Sequence, residues 1–325
     1  MKQSPPSRVG KPTSMALMAS GMCLCLWPAV SGAIALVLGL IIGLIGANNW
    51  IRQTSQLASQ LLQISIVGLG AGMNLAVVWS VGIASIEYTI VSITLILAFG
   101  LWLGRTGKLS RNLTLLIASG TAICGGSAIA AIACVIKPRE EETTTALATV
   151  FLLNAVGLLL FPTLGHLIGF TQHQFGLWAA LAIHDTSSVV GASAIYGETA
   201  LKVATTVKLV RALWIVPLTL IIAWSISKLN KQVMPPPPKI KFPWFIGGFL
   251  AMAALATYLP GFSETGAWIA LIAKRLLVVA LFLVGTNLTQ PALAAVGWRP
   301  LIVGTVLWIG VSISVATGIT AGWIH

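Results

Sequence analysis

The chain is a succession of apolar stretches separated by short polar loops, and that pattern constrains it more than any other feature. The stretches run over 15–27, 29–47, 55–76, 80–104, 111–136, 143–168, 173–196, 199–227, 243–260, 264–288 and 298–324. A helix needs about 20 apolar residues to cross a bilayer, so the pattern predicts about 11 transmembrane helices. Backbone in hydrocarbon must satisfy its own hydrogen bonds, so the fold class is all-α, polytopic and membrane-embedded. Of the 325 residues, 57% are hydrophobic and 8% charged, against roughly 25% charged in soluble domains. No series of short segments alternates polar with apolar residues, which argues against a β-barrel.

The formal charge of +12 would suggest nucleic acid in a soluble chain, but here the loops account for it. With the N-terminus inside, inside loops hold Lys2, Arg8, Lys11, Arg52, Arg105, Lys108, Arg111, Lys228, Lys231, Lys239, Lys241 and Arg299. The outside loops hold Lys137 and Arg139, offset by Glu140, Glu141 and Glu142. This is the positive-inside asymmetry. It places the protein in a cell (inner) membrane with a cytoplasmic N-terminus and no nucleic-acid partner. Residues 1–14 read as a disordered basic segment. Residues 15–27 read as an extra N-terminal helix or as a signal-peptide core before Ala29-Val30-Ser31. Residues 228–242 form a Pro-rich cytoplasmic linker.

Within 111–136, Gly120, Gly125 and Gly126 interrupt an apolar run, with Thr121 and Ser127 beside them. Each Gly costs a helix about 1 kcal/mol relative to Ala, so the cluster predicts a break between two half-helices. The half-helix that leaves the break presents free N–H groups to an anion. A second break is expected at 285–291, where Gly285, Thr286 and Asn287 precede Pro291.

Segments 29–168 and 173–324 overlay as inverted repeats. Gln60–Gln63 then matches Lys208–Arg211, Gly120-Thr121 matches Gly285-Thr286, and Ser127–Ala131 matches Pro291–Ala295. Broken helices in corresponding positions of inverted halves point to a transporter site. A rival overlay of Cys124–Ser127 on His184–Ser187 joins stretches two apart, which would point the same way. It is set aside as coincidence or as shared helix-break chemistry.

Lys208 and Arg211 lie three apart on one helical face within an apolar stretch. Charge at mid-membrane costs at least about 2.5–3.5 kcal/mol per residue, so the pair should face a cavity, a counter-charge or a ligand. They are the candidate anion-binding cations, with Thr121, Cys124, Gly125, Gly126, Ser127, Gly285, Thr286 and Asn287 lining the breaks. The bland alternative is snorkelling, or an internal pair with Asp185. His184-Asp185 is the candidate proton-coupling site, since imidazole titrates near neutral pH; a structural hydrogen-bonded pair is the alternative. Asn74, Ser187 and Ser188 are further polar candidates. The four cysteines lack metal-ligand spacing, so no metal or cofactor is expected.

Ile123–Ala128, Ile183–Asp185, Lys208–Arg211 and Pro243-Trp244-Phe245 together resemble the YeiH-like family, which carries a sulfate-exporter label. The likeness covers residues 30 to 320, with Asp185 where many relatives carry Glu. It implies two five-helix inverted repeats plus one N-terminal helix. Crossed broken helices would lie in a core that moves against a scaffold. The expected function is secondary active transport of a small anion such as sulfate or a similar oxyanion, proton-coupled and outward. The alternative is a sodium(cation)/proton antiporter with Asp185 as ion site and Lys208 as internal counter-ion. An intramembrane hydrolase using Ser127 or Ser187 with His184 is the third class; a transporter, not an enzyme, is expected. Partners are the anionic solute and the bilayer, and a homodimer is compatible with the sequence.

Overall fold

The computed structural model describes residues 10–230, 244–287, 289 and 297–324. The described residues form helices and no strand. In chain order these are α1 (Lys11–Leu26), α2 (Gly32–Leu44), α3 (Ile51–Gly70), α4 (Leu75–Thr106), α5 (Arg111–Ala122), α6 (Gly126–Ile136) and α7 (Glu140–Ile168). There follow α8 (Gln172–Ala182), α9 (Thr186–Tyr196), α10 (Glu198–Leu213), α11 (Ile215–Asn230), α12 (Trp244–Tyr258), α13 (Phe262–Thr286) and α14 (Trp298–Thr320). Among the described residues, five helical segments are long and apolar enough to cross a membrane: α4, α7, α10 with most of α11, α13 and α14. The helical segment at the start begins at Lys11, with Pro12 in its first turn, so the disorder expected to residue 14 is corrected there; Pro is well suited to a helix start. Residues 1–9 and 231–243 of the expected basic segment and linker lie outside the described residues.

Two compact units emerge, and each draws on both halves of the sequence: residues 1–77 with 244–294, and 78–243 with 295–325. In the first unit, α13 lies against α2 at backbone contact. A side chain at Gly39 would overlap the Phe282 carbonyl, and one at Gly285 would lie 2.7 Å from the Leu40 nitrogen. Met18 and Cys25 of α1 share a core with Ala35, Phe282 and Leu283. Arg275 donates to the carbonyls of Trp27, Pro28 and Val30 and so ties down the α1–α2 link.

The second unit corrects the crossing count, because 111–136 and 172–196 both turn back on themselves. The Ser110 hydroxyl, at the start of α5, donates to Glu142 at the start of α7. The α6 end joins α7 through only Lys137–Arg139. Both ends of the α5–α6 stretch therefore lie at the same end of α7, and Leu113, Ile117, Ile129 and Ile132 pack in one cluster. The other stretch behaves alike. Tyr196, which ends α9, donates to the Phe170 carbonyl at 2.5 Å and stacks on Phe175 of α8 with centroids 3.8 Å apart. Each arm has 11 or 12 residues and so reaches about 16–18 Å, roughly half of the hydrocarbon core.

The α7 helix, 29 residues long, carries the α5–α6 hairpin at its start and the α8–α9 hairpin at its end. The hairpins therefore enter from opposite faces. Each is followed by a crossing segment, α7 and α10–α11 respectively, and the two assemblies run in opposite senses. The overlay of Cys124–Ser127 on His184–Ser187, set aside above, matches the two hairpin tips. Its same-direction objection assumed a full crossing at 111–136. The turn back also moves Lys137 and Arg139 to the face that bears Arg105, Lys108 and Arg111, which strengthens the charge asymmetry.

Candidate functional site

The tips of the two hairpins meet at the middle of α7. In the first, Ile123 to Gly125 connect α5 to α6. Gly125 has φ +61° and ψ −123°, a conformation open in practice only to glycine. Its N–H donates to the Gly120 carbonyl at 2.8 Å. In the second, Ile183 and Asp185 are both extended, and Asp185 caps α9 by accepting from the Ser187 N–H at 3.1 Å and from the Ser187 hydroxyl. A side chain at Gly125 would sit 3.3 Å from Val150 and 3.4 Å from the Asp185 Cβ. The Asp185 N–H donates to Asn154 Oδ1 of α7 at 3.0 Å.

Lys208 and Arg211 reach these tips from α10, and both are 0% exposed. Arg211 Nε donates to the Ala122 carbonyl at 2.6 Å, and Nη1 to the Leu181 and Ala180 carbonyls at 2.5 and 3.2 Å. Lys208 Nζ donates to the Ile183 carbonyl at 2.7 Å and to that of Ala180 at 3.4 Å. These are the orphan carbonyls at the C-terminal ends of α5 and α8, where a cation is favoured. Arg211 thus holds both tips at once. Of the ion pairs found among the described residues, none joins Lys208 to Asp185.

The negative helix ends are thereby covered, and the positive ends differ. No side chain caps α6, Gly126 is half-exposed and Ser127 exposed. Ser187 and Ser188 are buried at the start of α9. The Thr121 hydroxyl is spent on the Ile117 carbonyl at 2.9 Å, and Cys124 is a buried thiol, in no disulfide, that faces the Ala128 N–H and the Ser127 side chain. No group of His, Cys, Asp and Glu suited to a metal is found among the described residues.

The chain matches the family described as conserved hypothetical protein 698 over residues 15–304. The chain belongs to this family. Its relatives are named UPF0324 membrane proteins. One from Bdellovibrio bacteriovorus is 49% identical over 302 residues, covering 93% of each chain. One from Geobacter sulfurreducens is 47% identical over 302 residues, covering 93% of this chain and 95% of the relative. One from Bacteroides thetaiotaomicron is 47% identical over 291 residues, covering 89% and 86% respectively. No solved structure matches. Membership agrees with the YeiH-like resemblance, and the protein is an all-α membrane protein.

The remaining sequence candidates, Gly285, Thr286, Asn287 and Asn74, belong to the first compact unit. There α13 ends at Thr286, and the rest of the expected break, 288 and 290–291, lies outside the described residues. Asn287 Oδ1 accepts from Thr54 at 2.7 Å, and the buried Asn48 donates to Thr286 Oγ1 at 3.2 Å. Gly285 serves the α2 contact. Asn74 is exposed and accepts from the Ala76 N–H at the start of α4. Sequence reasoning missed Asn154 and Trp308. Asn154 was visible as a lone amide within the apolar stretch 143–168; Trp308, inside 298–324, gave no signal distinct from its neighbours.

Proposed function

We propose that the protein is a secondary active transporter of a small anion, sulfate or a similar oxyanion, coupled to protons and working outward from the cytoplasm of a bacterial inner membrane. The observation that carries this reading is the unequal treatment of helix ends at the paired tips. Two buried cations cover the carbonyl ends, whereas the N-terminus of α6 stays uncapped beside the exposed Ser127. Free N–H groups there suit an anion, and half-depth hairpins entering from opposite faces suit alternating access. In this reading Gly126 and Ser127 contact the solute. Lys208 and Arg211 hold the tips and supply positive field, and His184-Asp185 exchange the proton.

The cation/proton antiporter remains the second reading, favoured by the Asp185 carboxylate at the tips. Against it, Lys208 donates to carbonyls rather than to that carboxylate. A hydrolase gains no support, because neither ring nitrogen of His184 has a hydrogen-bond partner and so no serine donates to it. Reconstituted into proteoliposomes, the protein should move labelled sulfate or formate under an imposed pH gradient without sodium. Sodium-dependent proton flux with no anion movement would replace this reading with the antiporter.

A further inference from the structure

Beside the tip of the α8–α9 hairpin, several buried polar atoms have no partner. They are both ring nitrogens of His184, Asn154 Nδ2 and Trp308 Nε1. The residues are 1%, 3% and 7% exposed, respectively. They are neighbours: the His184 and Trp308 rings lie 6.4 Å apart between centroids. A side chain at Gly157, one turn on from Asn154, would lie 3.2 Å from the Trp308 ring and 3.7 Å from Ile183. Asn154 itself holds the Asp185 N–H through Oδ1. A buried donor without an acceptor costs about 1–3 kcal/mol, and several close together call for a bound water or ion.

The chemistry of the set selects the ligand. Asn154 offers amide hydrogens, and its Oδ1 is already engaged. Trp308 offers one indole hydrogen and no acceptor. Neutral His184 offers one donor and one acceptor, and protonated His184 offers two donors. A water seated here would have two hydrogens to place and at most one free ring nitrogen to receive them. An acceptor-only species is matched by every atom of the set once His184 is protonated.

We infer that Asn154, His184 and Trp308 form a binding site for a small desolvated anion, of halide size or one oxyanion oxygen, and that it is occupied together with a proton on His184. An anion against the imidazole favours its charged form, which turns the remaining ring acceptor into a second donor. Anion and proton then enter as a pair. The charged groups that act on the imidazole are Lys208 and Arg211 on α10, and Asp185 adjoins it in the chain. The facing residues of α7 and α14 are Asn154, Gly157 and Trp308, none of which titrates. The coupling role rests on the transport reading above; the binding itself does not.

The test is calorimetric titration of the purified full chain with sodium chloride, formate and sulfate, against sodium gluconate as a control, in buffers of different ionisation enthalpy. The wild type should bind at least one of the three small anions with uptake of close to one proton. Trp308→Phe keeps the ring and loses the donor, and should weaken binding on the order of tenfold. Asn154→Asp keeps the oxygen that holds the Asp185 N–H, sets a negative charge in the site and should abolish binding. His184→Gln should abolish proton uptake. If these variants fold, by gel filtration and melting temperature, and bind every anion like the wild type, the inference fails while the transport reading stands. Binding of none of the anions by the wild type, the outcome for a site that holds water only, also overturns it. Proteoliposome flux in that same preparation then decides separately whether transport falls as well.

Discussion

The two hairpins perform the same turn with different chemistry. The α5–α6 tip turns through Gly125 in a conformation that side chains avoid, and it leaves the following helix uncapped. The α8–α9 tip turns through ordinary extended residues, and Asp185 closes its helix. One tip thus keeps its N–H groups available, whereas the other has satisfied its own and is held in place from α7 and α10. The difference separates a contacting tip from a supporting one, on segments that look equally apolar in sequence.

Substitutions sharpen or break that distinction, and the largest effect is expected at the residue shared by both tips. Arg211→Ala strands buried carbonyls of α5 and α8, and should destabilise the protein by on the order of 3 kcal/mol; a large fall in melting temperature in detergent reads it. Arg211→Lys should recover only part of the loss, since an ammonium cannot reproduce the guanidinium fork across both hairpins. Next comes Gly125→Ala, which forces a side chain into a glycine-only conformation beside Val150 and should cost about 1–3 kcal/mol. A melting temperature equal to wild type there would remove the strained turn from the comparison. Asp185→Ala should cost about 1 kcal/mol as a lost cap, with Asp185→Asn milder because an amide oxygen still accepts; equal losses would show that the charge, not the cap, matters. The smallest stability effect, within about 0.5 kcal/mol, belongs to the exposed Ser127→Ala. That variant should nevertheless weaken anion-dependent stabilisation, and an unaltered anion response would take Ser127 out of the contacting tip.

Much of this was legible in the chain. The glycines at 120, 125 and 126 marked one tip, and His184-Asp185-Thr186-Ser187 marked the other. What length and hydropathy could not show was direction. A stretch of 26 residues at 111–136 is as long as a full span, and the contact of Ser110 with Glu142 together with the packing of α5 on α6 reveals that it returns. The loop charges did not expose the error, because a second hairpin at 172–196 restores the parity before the Lys-rich linker. The locally offset Lys137 and Arg139 weighed little in the balance. Lys208 and Arg211 were correctly singled out as buried. Their carbonyl partners come from segments distant in sequence, so no local pattern could announce them.

The account depends above all on the α5–α6 stretch returning to the face it left. In a cysteine-free background, single cysteines at the exposed positions of Lys108 and Lys137, and at Thr171 for contrast, can be labelled in oriented vesicles with a membrane-impermeant maleimide. Labelling of 108 and 137 from one face and of 171 from the other is the expected result. Labelling of 108 and 137 from opposite faces would make 111–136 a crossing helix and dismantle the paired-tip site.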